Sequence, residues 1–312
     1  MAPATISSWE NLAAPKLPPR ERISTYARFF ATSRSIDDEP HLIPLEDLDD
    51  EETAAYERLR DELLGLREAV LSPASEQETA IARTWQFDDT GPATLVCAEL
   101  PRDEKTDLAD PSDPNYTELL GYADLDALVE LHGHIRAENP NMEVFYRASS
   151  KITPDALSGH LILLGGVAWN DVTQRLSEMV RLPVRQIEDP SLATGEIFVT
   201  ATEGKEQRFT PRWTTEEPRA LREDVGLLAR VPNPLNSSRT LTICNGIHSR
   251  GVLGAVRSLT DARLREGNEK HLASQFGRRG NFLILMRVAV LQGQAMTPDF
   301  HNPDAVLWSK GM

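Results

Sequence analysis

The arrangement of apolar and polar positions changes character along the chain. Over residues 51–71 (EETAAYERLRDELLGLREAVL), Tyr56, Leu59, Leu63, Leu66 and Val70 recur at alternating intervals of three and four. That is the period of an α-helix with one narrow apolar seam. Asp49 and Glu52 have the spacing of a capping box at its start. The seam spans about two heptads and suits either packing on the chain's own body or pairing in a homodimer.

From residue 84 onward, short apolar runs alternate with helical stretches. ATLVCAEL (93–100), MEVFYR (142–147), HLILLGG (160–166), VGLLARV (225–231), TLTIC (240–244) and NFLILMRVAVL (281–291) read as strands. Residues 123–138, 171–180, 251–259 and 261–276 read as helices. Continuously apolar runs suit strands buried on both faces. Strand–helix–strand order then implies parallel pairing through right-handed crossovers. Shorter strand candidates at 184–187, 195–201 and 207–213 look like an antiparallel excursion. The expectation is an α/β protein: a mostly parallel, three-layer Rossmann-like sheet domain over 84–312, with an antiparallel insertion, preceded by a helical N-terminal arm. Residues 1–36 form that arm, with helical pieces at 5–9 and 21–32 separated by Pro15, Pro18 and Pro19. Residues 37–83 hold a linker with Pro40 and Pro44, then the amphipathic helix.

Charge and cysteine content narrow the setting. No run approaches 18 consecutive apolar residues, so no transmembrane helix is expected, and the first residues lack the apolar core of a signal peptide. The two cysteines, Cys97 and Cys244, fall inside apolar runs and read as buried free thiols, which fits a reducing cytoplasm. Zinc would need more ligands at closer spacing. The net charge of −15 divides into +3 over residues 1–36 and −18 over the rest. Wholesale nucleic-acid binding is therefore disfavoured, and any DNA contact falls to the arm.

Two strand-to-helix loops carry the candidate chemistry. LILLGGVAWNDVTQRL places Gly165-Gly166 at a strand end and Asn170 near a helix start. LTICNGIHSRGVLGAVRSL places Asn245-Gly246, His248, Ser249, Arg250 and Gly251 in the same context. Glycines admit close backbone approach, free N–H groups at a helix start attract anions, and Arg250 could pair with one. Asn233 and Asn236 sit in an Asn/Pro-rich stretch after a strand and could reach a base or sugar, or simply turn the chain. Tight turning by the glycines and N-capping by Asn170 are the plain alternatives. No complete dinucleotide fingerprint, phosphate lysine or metal-ligand set is present, so no metal or cofactor is expected. His132 and His134, two apart on a helix, face different ways. Glu99, Asp124, Asp126 and Asp224 are the carboxylates nearest strand ends or helix starts. Asp124 reads first as a helix cap.

Residues 3–11 (PATISSWEN) resemble the recognition helix of an XRE-type helix-turn-helix, and Tyr26-Ala27 fits the helix that follows it. Met1 lies just before this segment, and Leu12 stands where that family usually has glycine. The resemblance therefore implies an incomplete helix-turn-helix, with DNA binding only if the rest is supplied. More broadly, YARFFATSRS (26–35), LLGGVAWN (163–170), the run from Asp224 to Arg230 with Asn233-Pro234, and LTICNGIHSRGVLGAVRSLTDARLREGNE (241–269) are similar to actinobacterial proteins labelled XRE-family regulators. The glycine loops loosely resemble Rossmann-like nucleotide-binding groups of the TIR, Sir2 and LOG type. These resemblances imply a regulatory, ligand-sensing protein whose α/β domain binds a small anionic or nucleotide-like ligand through Gly165, Gly166, Asn170, Asn233, Asn245, Gly246, Ser249, Arg250 and Gly251. An enzyme acting at a nucleotide or N-glycosidic bond, and a structural or partner-binding protein using helix 51–71, remain open beside it.

Overall fold

The computed structural model describes residues 18–36, 40–71, 83–191, 195–202, 205–277 and 280–312. The helix-turn-helix-like segment 3–11 lies outside them. Contacts divide the chain into two compact units, Met1–Ala80 and Ile81–Met312.

In the first unit, α1 (Arg20–Phe30) packs against α2 (Asp50–Leu71), burying Ile23, Ala27 and, on α2, Tyr56. The capping box closes as expected: Glu52 N donates to Asp49 Oδ1 at 2.8 Å and Asp49 N to Glu52 Oε2 at 3.2 Å. Arg34 donates to the same carboxylate and holds Glu52 down at about 2. Leu66, on the same seam, is exposed.

The second unit is built on a mixed sheet. Its strands are β1 (Ala93–Cys97), β2 (Val144–Ala148), β3 (His160–Leu164), β8 (Leu221–Asn233), β9 (Asn236–Gly246), β10 (Phe282–Leu291) and β11 (Gln294–Ala295), in the order β11-β10-β8-β9-β3-β1-β2. β12 (Val306–Gly311) pairs with β10, and β7 (Arg212–Trp213) with β8. Among the described residues, only the β1/β2, β1/β3 and β3/β9 pairings are parallel. The sheet is thus mixed rather than mostly parallel as expected: β10 with β8, β11 and β12, and β8 with β7 and β9, pair antiparallel. β8 and β9 are a long antiparallel hairpin turned at Pro234-Leu235, a link far too short for a parallel crossover. Their unbroken apolar pattern reports burial on both faces, which a strand can have in either direction.

Both faces of the sheet are covered. On one lie α3 (Leu125–Glu138), α5 (Ser249–Arg257) and α6 (Arg265–Phe276), with Leu128, Leu131, Val256 and Leu272 against Leu95, Ile162 and Ile284. On the other lie α4 (Asp171–Val180) and a separate antiparallel sheet of β4 (Val184–Glu188), β5 (Glu196–Thr202) and β6 (Lys205–Phe209). There Leu176, Val184 and Phe198 meet Leu163, Val225 and Leu285. β3 alternates between the two, Leu161 and Leu163 to one side and Ile162 and Leu164 to the other. Each such fully buried side chain contributes about 1.5–3 kcal/mol. The small sheet is the expected antiparallel insertion, except that the 207–213 run divides at Thr210-Pro211 and its second half joins the main sheet.

This topology marks a candidate site. From β1 the chain passes through α3 to β2 on one side, then returns to pair β3 on the other side of β1. The space beyond the carboxyl ends of β1 and β3 is a topological switch point, where open α/β sheets bind ligands.

Candidate acid–base cleft

A cleft of about 540 Å³ opens at that switch point, among Asp124, Trp169, Glu188, Glu196, His248 and Ser249. Its floor includes Gly166 and Gly246, the residues that follow or end β3 and β9. The insertion supplies Glu188 and Glu196 from facing ends of β4 and β5, which pair in register.

Asp124 precedes α3 at its N-cap position but makes no side-chain cap. Its carboxyl instead lines the cleft beside Ser249, whose hydroxyl favours the ionised form. Burial lifts it to about 6, and the neighbouring Asp224 charge adds to the rise while Ser249 opposes it. Gly165 makes this arrangement possible. Its φ of +101° suits glycine, and a Cβ there would sit 2.8 Å from Asp124 Oδ2 and 2.7 Å from the Ala98 Cβ. The expected capping role for Asp124 is therefore replaced by one inside the cleft.

Asp224, at the start of β8, is fully buried. Because β8 runs antiparallel to β9, its first residues lie beside the β9 carboxyl end. Asp224 Oδ2 accepts from the backbone N–H of His248 (3.1 Å) and of Gly251 (2.6 Å), and Oδ1 from that of Val225 (2.9 Å). His248 Nδ1 lies 3.2 Å from Oδ1. A proton on Nδ1 directed at that carboxylate leaves Nε2 to accept from the cleft. The Trp213 ring holds the imidazole edge-on, with centroids 5.5 Å apart.

A polar chain ties the insertion to the floor. Asn245 Nδ2 donates to Gln186 Oε1 at 2.7 Å, Val167 N donates to the same oxygen at 3.2 Å, and Gln186 Nε2 donates to Glu196 Oε2 at 2.7 Å. Burial raises Glu196 above the usual carboxylate range, against the Gln186 bond and the nearby His248.

The sequence-expected residues divide accordingly. Gly166, Gly246 and Ser249 line the cleft; Gly165 and Asn245 stand directly behind its wall. Asn170 is buried and does cap α4, its Oδ1 accepting from Thr173 N at 3.2 Å while Nδ2 ties down Val96 O and Leu164 O at 3.1 and 3.0 Å. Gly251 meets the protein's own backbone: a Cβ there would lie 2.5 Å from Val225 O. Arg250 faces Asp126 at 3.6 Å. Asn233 and Asn236 sit in the β8–β9 turn at the far end of the sheet, where their amides donate to Leu157 O, Gly159 O and Ser158 O, so the structure does not bring them to the cleft. Glu99 is paired with Lys105 at 3.2 Å. The groups that the sequence reading did not place together are Asp124, Gln186, Glu188, Glu196 and the Asp224–His248 pair.

Cys97 and Cys244 are free and buried, and burial pushes both thiols up. Among the described residues no helix is long and apolar enough to cross a membrane, and no group of His, Cys, Asp and Glu is placed to hold a metal ion. Comparisons with protein-family models, curated proteins and solved structures find no match to this chain.

Proposed function

We propose that residues 83–312 form an enzyme that hydrolyses, or transfers at, the N-glycosidic bond of a nucleoside- or nucleotide-like substrate. The observation that carries this reading is Asp124: a buried carboxyl at about 6, beside the Ser249 hydroxyl, in a switch-point cleft it shares with His248. A group with that pKa is half-protonated at about pH 6, keeps about a tenth of its protonated form at pH 7, and can serve as a general acid. In its protonated form Asp124 gives its proton to the leaving base as the C–N bond breaks and the electron pair departs with nitrogen. His248 Nε2 takes the proton of the water, or acceptor hydroxyl, whose oxygen bonds to the anomeric carbon. Carboxylates such as Glu196 stabilise the positive charge that builds on the sugar. The cleft's place at the switch point between β1 and β3 agrees with this reading. The test is chromatography of products after incubation with nucleosides and nucleotides. Released base from the wild type and none above background from Asp124→Asn supports the proposal; equal release from both removes it.

The regulatory reading has one observation in its favour. The Asn245–Gln186–Glu196 chain links the floor of the main sheet to the insertion. A ligand that draws Glu196 away from Gln186 would alter that link without turnover, as a sensor attached to a helix-turn-helix requires. Saturable binding with no product, by calorimetry and chromatography on one sample, would favour it.

A further inference from the structure

The two loops that frame the cleft look in sequence like phosphate cradles, but part of each loop's N–H donor set is already taken by the protein's own side chains. At the start of α5, the Asp224 carboxylate takes the N–H groups of His248 and Gly251 at 3.1 and 2.6 Å. At the start of α4, Asn170 Oδ1 takes the N–H of Thr173. The dipole and two of the donors that would favour a phosphate at α5 are thus answered by a buried protein charge. The bare glycine surfaces are occupied too. A Cβ on Gly246 would lie 2.4 Å from Val252 N, so this glycine admits the α5 backbone, not a pyrophosphate. No lysine or arginine is among the described residues lining the cleft, whereas Asp124, Glu188 and Glu196 are. Trp169 lines it with 41% of its surface exposed, an apolar face open to a flat or cationic group.

We propose that this cleft selects a neutral or cationic, hydroxyl- and amine-bearing nucleoside and rejects its phosphorylated form, with Glu188 and Glu196 as the specificity-determining residues. The inference rests on the glycosidic reading above for the nucleoside scaffold alone. The charge selection follows from the lining. An ammonium or hydroxyl group gains acceptors from Glu188 and Glu196, and stacking on Trp169 holds the base. A phosphate would face the carboxylates with no lysine or arginine among the described lining residues and with several of the helix-start donors already taken.

Three probes share one scaffold and differ in charge at one carbon: adenosine, adenosine 5′-phosphate and 5′-amino-5′-deoxyadenosine. Their dissociation constants are measured by calorimetry on the full chain, on Glu188→Gln, and on the Glu188→Gln/Glu196→Gln double variant. The amine is expected to bind at least about tenfold (~1.4 kcal/mol) more tightly than the phosphate. The gap should shrink in Glu188→Gln and nearly vanish in the double variant. Glu188 is exposed, so its single variant keeps the test usable if the double variant fails to fold. Phosphate binding as tightly as the amine, an unchanged gap in the variants, or no binding by any probe overturns the inference. Adenine release is assayed separately. Release from the phosphate in preference to the others leaves the glycosidic reading standing and removes only the selectivity; ordered binding without release does the reverse.

Discussion

Replacing Asp124 with asparagine should make the protein more stable at neutral pH while removing its chemistry. The folded protein holds the Asp124 proton more tightly than the unfolded chain does, since its pKa rises from 3.8 to about 6. A rise of that size corresponds to ~3 kcal/mol. The sign follows from proton uptake. Between about pH 4 and pH 6 the native state binds the extra proton, so this residue's contribution to stability falls as pH rises and reaches its full penalty above about pH 6. Asparagine keeps the shape and stays neutral at every pH, but interacts with Ser249 more weakly than a carboxylate does. After that loss a gain of ~1–2 kcal/mol remains at about pH 7.5, and little or none at about pH 4.5. Urea unfolding followed by fluorescence of Trp85, Trp169, Trp213 and Trp308, at both pH values, gives the difference directly. Each comparison is between wild type and variant at one pH, so other titrating groups cancel. A variant that is less stable at neutral pH, or whose advantage is the same at both pH values, refutes the reasoning.

Further outcomes follow from neighbouring positions. Asn170→Ala removes the α4 cap and two ties to strand-end carbonyls, and should lower stability by ~2–4 kcal/mol in thermal unfolding. Gly246→Ala places a methyl 2.4 Å from Val252 N and should yield little folded protein, whereas Gly65→Ala, on α2 with nothing within 4 Å, should be neutral or stabilising by up to ~1 kcal/mol. Circular dichroism and soluble yield separate the two. Arg250→Ala, because that side chain faces Asp126 and does not line the cleft, should leave base release within about twofold, as an exposed ion pair is worth ~0–1 kcal/mol.

Apolar runs located β1, β3, β9 and β10 well because each is buried on both faces, and Gly165 and Gly246 marked strand ends because neighbouring atoms leave no room for a Cβ at either. Direction was not legible in the same way. VGLLARV and TLTIC carry the two-sided burial of parallel strands, yet the hairpin between them was written in the short turn Asn233-Pro234-Leu235-Asn236, which also admits a binding-loop reading. The site's acid–base groups were harder still. Asp124 precedes a helix, where aspartate is ordinarily a cap, and only the glycine at 165 with its left-handed φ shows why the carboxyl turns elsewhere. Asp224 reaches His248 only because β8 runs antiparallel beside β9. Gln186 and Glu196 belong to a half-exposed antiparallel sheet, where polar residues carry no positional signal until the strands are paired.

The central claim is that the carboxyl of Asp124 does acid–base work in the switch-point cleft. The most direct test is the pH dependence of base release, kcat/KM against pH, for the wild type and Asp124→Asn. A limb with an apparent ionisation near 6 in the wild type, with activity falling as Asp124 loses its proton and lost altogether in the variant, is the predicted result. Base release by Asp124→Asn at the wild-type rate, with the same pH limb, would contradict the account.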